Sequence, residues 1–108
     1  MENKLNEPEL NIADAQNENL EEAIVFFLED EFFAELEKFL IDEDYAMAKD
    51  AVKGLYVLAS ELKLFELYQA LLEIYEDLEV EFYNDVMNHY DEMMVVYRKL
   101  KKEYIYHA

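Results

Sequence analysis

Asp50, Lys53 and Gly54 stand close together in Tyr45 to Leu62, a stretch whose pattern is that of one helix. Gly54 is the only glycine in the chain. In mid-helix it costs about 1 kcal/mol relative to alanine, so it points to a need for clearance. On a 3.6-residue wheel, Ala48, Ala51, Val52, Leu55, Leu58, Ala59 and Leu62 share one broad apolar face, which predicts core. Asp50, Lys53, Gly54, Val57 and Glu61 fall on the opposite side, with Met47 beside them. A carboxylate, an ammonium group, two apolar side chains and a patch of bare backbone make up the chemistry of a docking surface. The competing reading is a solvated helix face that carries one glycine.

Other constellations carry less. A carboxylate-bridged metal site in a helical bundle needs inward glutamates and two Glu-x-x-His pairs. Val86 precedes His89 by three residues and Tyr104 precedes His107, so neither pair exists. Asp85, His89 and Glu92 fall near one another on one helix and read as a surface cluster, so no metal and no cofactor are expected. Ser60 is the only serine, and it has neither a glycine elbow nor a partnered histidine. One glycine cannot build a phosphate-cradling loop. Among so many acids no carboxylate pair stands above the rest for acid–base work. The methionines and tyrosines of the last helix read as core.

The elements that must position these residues follow from composition. A chain of 108 residues makes one domain. With one proline, one glycine and 54% hydrophobic residues, it favours long helices and short links over strands. The absence of cysteine excludes a disulfide framework and thiolate metal sites. No signal-like start and no apolar run of about 18 residues appear, so a cytoplasmic protein is expected. A net charge of −18 disfavours nucleic acid and anionic membranes as partners. That charge is uneven: residues 1–97 hold 26 acids and 5 bases, whereas residues 98–108 hold 4 bases and 1 acid.

Residues 1–19 are polar, asparagine-rich and contain Pro8, which predicts a flexible tail. Residues 20–108 predict a four-helix bundle. Leu20 to Ile41 is helical in pattern, with Asn19 as its expected N-cap. Leu28, Phe32, Leu36, Phe39 and Leu40 form its stripe, and Phe26 and Phe33 widen it towards the core. Glu29, Asp30 and Glu31 allow a bend or two shorter helices. After Asp42-Glu43-Asp44, Asp44 is placed to cap the helix from Tyr45, which ends near Ser60–Lys63. A third helix carries Leu64, Leu67, Tyr68, Leu71, Ile74 and Tyr75. The last begins near Glu79 and keeps its seam to Tyr104. Short links favour an all-α, antiparallel up-down arrangement.

The string DAVKG, with its ordered surroundings, resembles the histidine-containing phosphotransfer domain of bacterial phosphorelays. That family carries a histidine with lysine and glycine three and four residues later, and often a second glycine ten residues after the histidine. Lys53 and Gly54 match; Asp50 stands at the histidine position and Ser60 at the second glycine. The resemblance spans about residues 20–105. It implies that Lys53 favours an incoming negative charge and that Gly54 admits a close surface. It also implies that phosphotransfer through a histidine is absent. His89, followed by Tyr90, Asp91 and Glu92, does not restore the motif.

Three functions compete. The leading one is a non-catalytic, phosphotransfer-like module of two-component signalling that binds the receiver domain of a response regulator or a histidine kinase. Met47, Asp50, Lys53, Gly54, Val57 and Glu61 form its partner face. The second is an acidic interaction or oligomerisation bundle that uses Phe26, Phe33, Phe82 or the tyrosines. The third is an enzyme with a carboxylate metal site.

Overall fold

A computed structural model of the chain describes residues 19–106, and all of its regular structure is helical. Helix α1 covers residues 19–28. It is followed by α2 (Phe32–Ile41), α3 (Tyr45–Glu61) and α4 (Phe65–Glu79). A single 3-10 turn (Tyr83–Asp85) leads into α5 (Val86–Tyr104). Among the described residues there is no strand, and no helix is long and apolar enough to cross a membrane. The tail expected over residues 1–19 lies outside the described residues except for Asn19, which is helical rather than a cap.

The acidic interruption at Glu29, Asp30 and Glu31 divides the first predicted helix in two. The Asp30 Oδ1 accepts the Phe32 amide at 2.8 Å, an Asx-type turn that competes with helix continuation and starts α2. Asp44 caps α3 as expected, its carboxylate accepting the Met47 amide at 3.3 Å.

Three links share one geometry. Glu43, Lys63 and Glu81 are left-handed, with φ of 58°, 63° and 59°. The next amide in each case, from Asp44, Leu64 and Phe82, donates back to the carbonyl of Phe39, Ala59 and Asp77 at 2.8, 2.9 and 2.8 Å. This is the Schellman closure, which satisfies carbonyls that a helix end leaves open. The third link corrects the expected start of the last helix. Glu79 ends α4, and α5 begins at Val86, because Glu81 turns the chain although apolar spacing runs on through Val80 and Phe82.

Consecutive helices pack as neighbours, α2 on α3, α3 on α4 and α4 on α5. Leu28, Leu36, Val52, Leu55, Leu67, Leu71, Ile74 and Met93 fill the interior without exposed surface. The Tyr97 hydroxyl donates to the Leu28 carbonyl at 2.5 Å and so serves a helix-end acceptor of α1 inside the core. Phe33 joins that contact, its ring centroid 4.3 Å from Tyr97 and 5.3 Å from Phe27. Two expected core residues of this region lie outside. Phe26 is exposed, with Ile24, Phe27 and Leu28 facing in instead, and Phe32 yields its place to Phe33 after the break at Asp30 resets the helical phase. Tyr90 is buried, and desolvation pushes its hydroxyl up to about 12. Val86, Met93 and Tyr97 are buried with it as the α5 seam predicts, whereas Met87, expected in that seam, is exposed because it falls at its edge.

Candidate functional site

Helix α3 presents the expected core face with one exception. Ala48, Val52, Leu55 and Ala59 are buried, Ala51 and Leu62 half-buried, and Leu58 is exposed on the shoulder of the stripe. Met47, Asp50, Lys53, Gly54, Val57 and Glu61 are all exposed. The strip divides lengthwise into two flanks of different chemistry.

On the flank towards α2, Met47, Asp50, Ala51 and Gly54 line a groove of about 300 Å³ whose other wall is Phe32, Glu35 and Phe39. Its floor is apolar, and Glu35 and Asp50 supply carboxylates at the rim. Nothing lies within 4 Å of the position a Cβ would take at Gly54. The glycine therefore opens the groove to an incoming surface without being needed for packing inside this chain.

The flank towards α4 is cationic and aromatic. Lys49 reaches Glu79 at 3.2 Å and lies 5.8 Å from the Tyr75 ring centroid. Tyr56 stands edge-on to both Tyr68 and Tyr75, with centroids 5.9 and 5.3 Å apart. The Tyr75 hydroxyl and then Lys49 hold the Glu79 carboxyl below its ordinary value, with a lesser contribution from Lys53. Tyr75 is raised in turn, first by its hydrogen bond to Glu79 and least by the charge of Asp50. Lys53 and Asp50 both act weakly on the electrostatics of this flank, and Asp50 with Gly54 also opens on the groove. Val57 and Glu61 continue the strip but line neither wall.

Ser60, at the second-glycine position of the resemblance, is not at the turn. It lies inside α3, where its carbonyl accepts the Lys63 amide at 3.0 Å, and the left-handed residue is Lys63.

A second cluster joins α4 to α5. The His89 Nδ1 lies 2.5 Å from the Asp77 carboxylate, and Asp77 is largely shielded from solvent. That hydrogen bond raises the His89 pKa against the opposing effect of burial, helped by the charges of Asp77, Glu73 and Glu92. Ligand-type atoms of Glu73, His89 and Glu92 come within 4.8 Å of one another. The sequence grouping of Asp85 with His89 and Glu92 is therefore replaced by one that draws Glu73 from α4. With Nδ1 engaged by Asp77, the cluster reads as a polar helix–helix contact with two exposed glutamates beside it.

Sequence reasoning missed Phe32, Glu35 and Phe39 as a groove wall. Phe32 and Phe39 belong to an α2 stripe whose spacing predicts core, which hides the wall they form with Glu35. It also missed the packing of Tyr56 on α3 against Tyr68 and Tyr75 on α4, and Asp77 beside His89, because a partner on a neighbouring helix leaves no local signal. Comparison of the chain with family models, with characterised proteins and with solved structures finds no match.

Proposed function

We propose that the chain is a non-catalytic relative of the phosphotransfer domain, with an up-down bundle of α2 to α5. In this reading it binds a receiver domain, or the corresponding part of a histidine kinase, through the outward strip of α3. One observation carries this reading. Gly54 lies on an exposed helix surface, next to open space, where alanine would stabilise the helix and clash with nothing in the chain. A need outside the chain explains that residue better than any need within it. The groove shared by Met47, Asp50 and Gly54 with α2 supports the same face.

Asp50 presents a carboxylate where a phosphotransfer domain presents an imidazole. Attack of a carboxylate on an acyl phosphate yields another acyl phosphate, with no gain in driving force. The module therefore docks and does not relay. Lys53 adds positive potential beside that carboxylate.

The test is binding of purified receiver domains to the intact chain, compared with Gly54→Arg. The expected result is a loss of about tenfold or more, because the added side chain fills the approach. Binding of a receiver indifferent to Gly54→Arg would remove this face, and no binding by any receiver or kinase would remove the function.

A further inference from the structure

The contact between α4 and α5 brings together donors that neither helix carries alone. Glu73 and Asp77 stand one turn apart on α4, and His89 and Glu92 one turn apart on α5. Asp77, largely shielded from solvent, holds the His89 Nδ1 and so fixes the ring. That leaves Nε2 as the nitrogen open to a further partner. Ligand atoms of Glu73, His89 and Glu92 lie within 4.8 Å of one another. Three atoms that close lie no more than about 2.8 Å from a common centre, and Zn²⁺ bonds to carboxylate and imidazole run about 2.0–2.2 Å. Glu73 and Glu92 are exposed, so their side chains close the remaining distance without disturbing the core.

A polar helix–helix contact accounts for Asp77 and His89. It does not account for two further carboxylates beside the same imidazole, whose charges add to that of Asp77. Among the described residues no lysine or arginine pairs with Glu73 or Glu92. Three carboxylates around one imidazole leave an excess of negative charge that favours a divalent cation. A carboxylate on one ring nitrogen and a metal on the other is the arrangement that orients metal-binding histidines.

We propose that Glu73, His89 and Glu92 bind one divalent cation of borderline softness, for which Zn²⁺ is the probe. His89 gives Nε2, each glutamate gives an oxygen, water completes the set, and Asp77 is the positioning residue. An imidazole with two carboxylates selects such an ion over Mg²⁺ and Ca²⁺, which take oxygen donors. The site uses none of the α3 strip and is independent of the proposed partner face. The sequence expectation of no metal rests on spacing within single helices, whereas this donor set is drawn from two.

Calorimetric titration of the metal-free intact chain with Zn²⁺, at about pH 8 where protons compete weakly for Nε2, tests the site. One equivalent is expected to bind at least about tenfold tighter than the scattered surface carboxylates and to persist in excess Ca²⁺. Glu73→Gln and Glu92→Gln, which keep the Asp77–His89 contact, are each expected to weaken it about tenfold, and His89→Gln to remove it. Asp77→Asn is expected to weaken it about tenfold while the helical spectrum is kept, because the ring loses its orientation. Glu22→Gln/Glu29→Gln takes charge from exposed positions of α1 and is expected to leave zinc binding unchanged. The proposal fails if no equivalent stands above the surface carboxylates, or if excess Ca²⁺ displaces it. It fails equally if the tight equivalent survives His89→Gln or both glutamate variants. A loss as large in the α1 variant would overturn it too, since net charge alone would then explain the binding. Unchanged affinity in Asp77→Asn would overturn the positioning role.

Discussion

The outward strip of α3 and the three helix-ending turns treat glycine in opposite ways. Gly54 occupies a helical position where φ is ordinary and where a Cβ would meet nothing. The turns at Glu43, Lys63 and Glu81 adopt the left-handed conformation that glycine tolerates best, and none of them holds one. A non-glycine residue there carries a strain of about 1 kcal/mol or more. Fold stability alone would place the chain's glycine in a turn and an alanine at position 54. The difference separates a surface shaped for something outside the chain from links shaped by the chain's own closure. The turns hold because their Schellman hydrogen bonds satisfy carbonyls that the helix ends would otherwise leave open.

The largest effect should come from the residue adjacent to the strip. Leu55 has no exposed surface and points into the core one position after Gly54. Leu55→Ala is expected to cost about 3 kcal/mol, through lost burial and the cavity left behind. Gly54→Ala should move the other way and stabilise by about 1 kcal/mol. Chemical denaturation of both variants checks the pair. A loss at both positions would mean that the strip is packed after all, and the distinction between docking surface and core would fail.

The turns supply the complementary measurement. Lys63→Gly relieves the left-handed strain but gives the unfolded chain more freedom, so the net gain is about 0.5–1 kcal/mol. The same denaturation midpoint reads it. A destabilised Lys63→Gly would show that the lysine side chain anchors the turn, and the contrast with Gly54 would then rest on that contact instead of on backbone conformation.

Much of the fold was legible because period carries it. The buried positions of α3 and α4 follow three- and four-residue spacing, and Asp44 announces its cap. The first two links were legible as places, at Asp42-Glu43-Asp44 and near Ser60–Lys63, but their left-handed geometry was not, since Glu43, Lys63 and Glu81 are not breaker residues. The spacing of Val80 and Phe82 continues the helical pattern through a place where the chain reverses. Phe32 and Phe33 were ambiguous because adjacent aromatics both fit a wide stripe, and only the Asx turn at Asp30 sets the phase. At the candidate site, exposure of the strip could be read from one helix wheel. Its division into an α2 groove and an α4 tyrosine flank needed the neighbouring helices, as did the exchange of Asp85 for Glu73 beside His89.

The smallest effect tests whether a turn and a polar contact that share Asp77 are separable. The Asp77 carbonyl closes the Glu81 turn, while its carboxylate holds His89 on α5. The His89 pKa is raised above the ordinary 6.5, so the fold favours the imidazolium. That stability is fully present below about pH 6.5, and it is lost as pH rises through the folded value. The step should be about 0.5 kcal/mol for a contact with partial solvent access. The unfolding midpoint is therefore expected to fall as pH rises from about 6 to 8, and Asp77→Asn should flatten the step. Glu81→Gly should raise stability throughout and leave the step in place, because it alters the backbone of the turn and not the carboxylate. If Glu81→Gly also abolished the step, the turn and the His89 contact would be one coupled unit. Polar side chains would then help to set the turns, and the contrast with Gly54 would narrow to the strip's exposure.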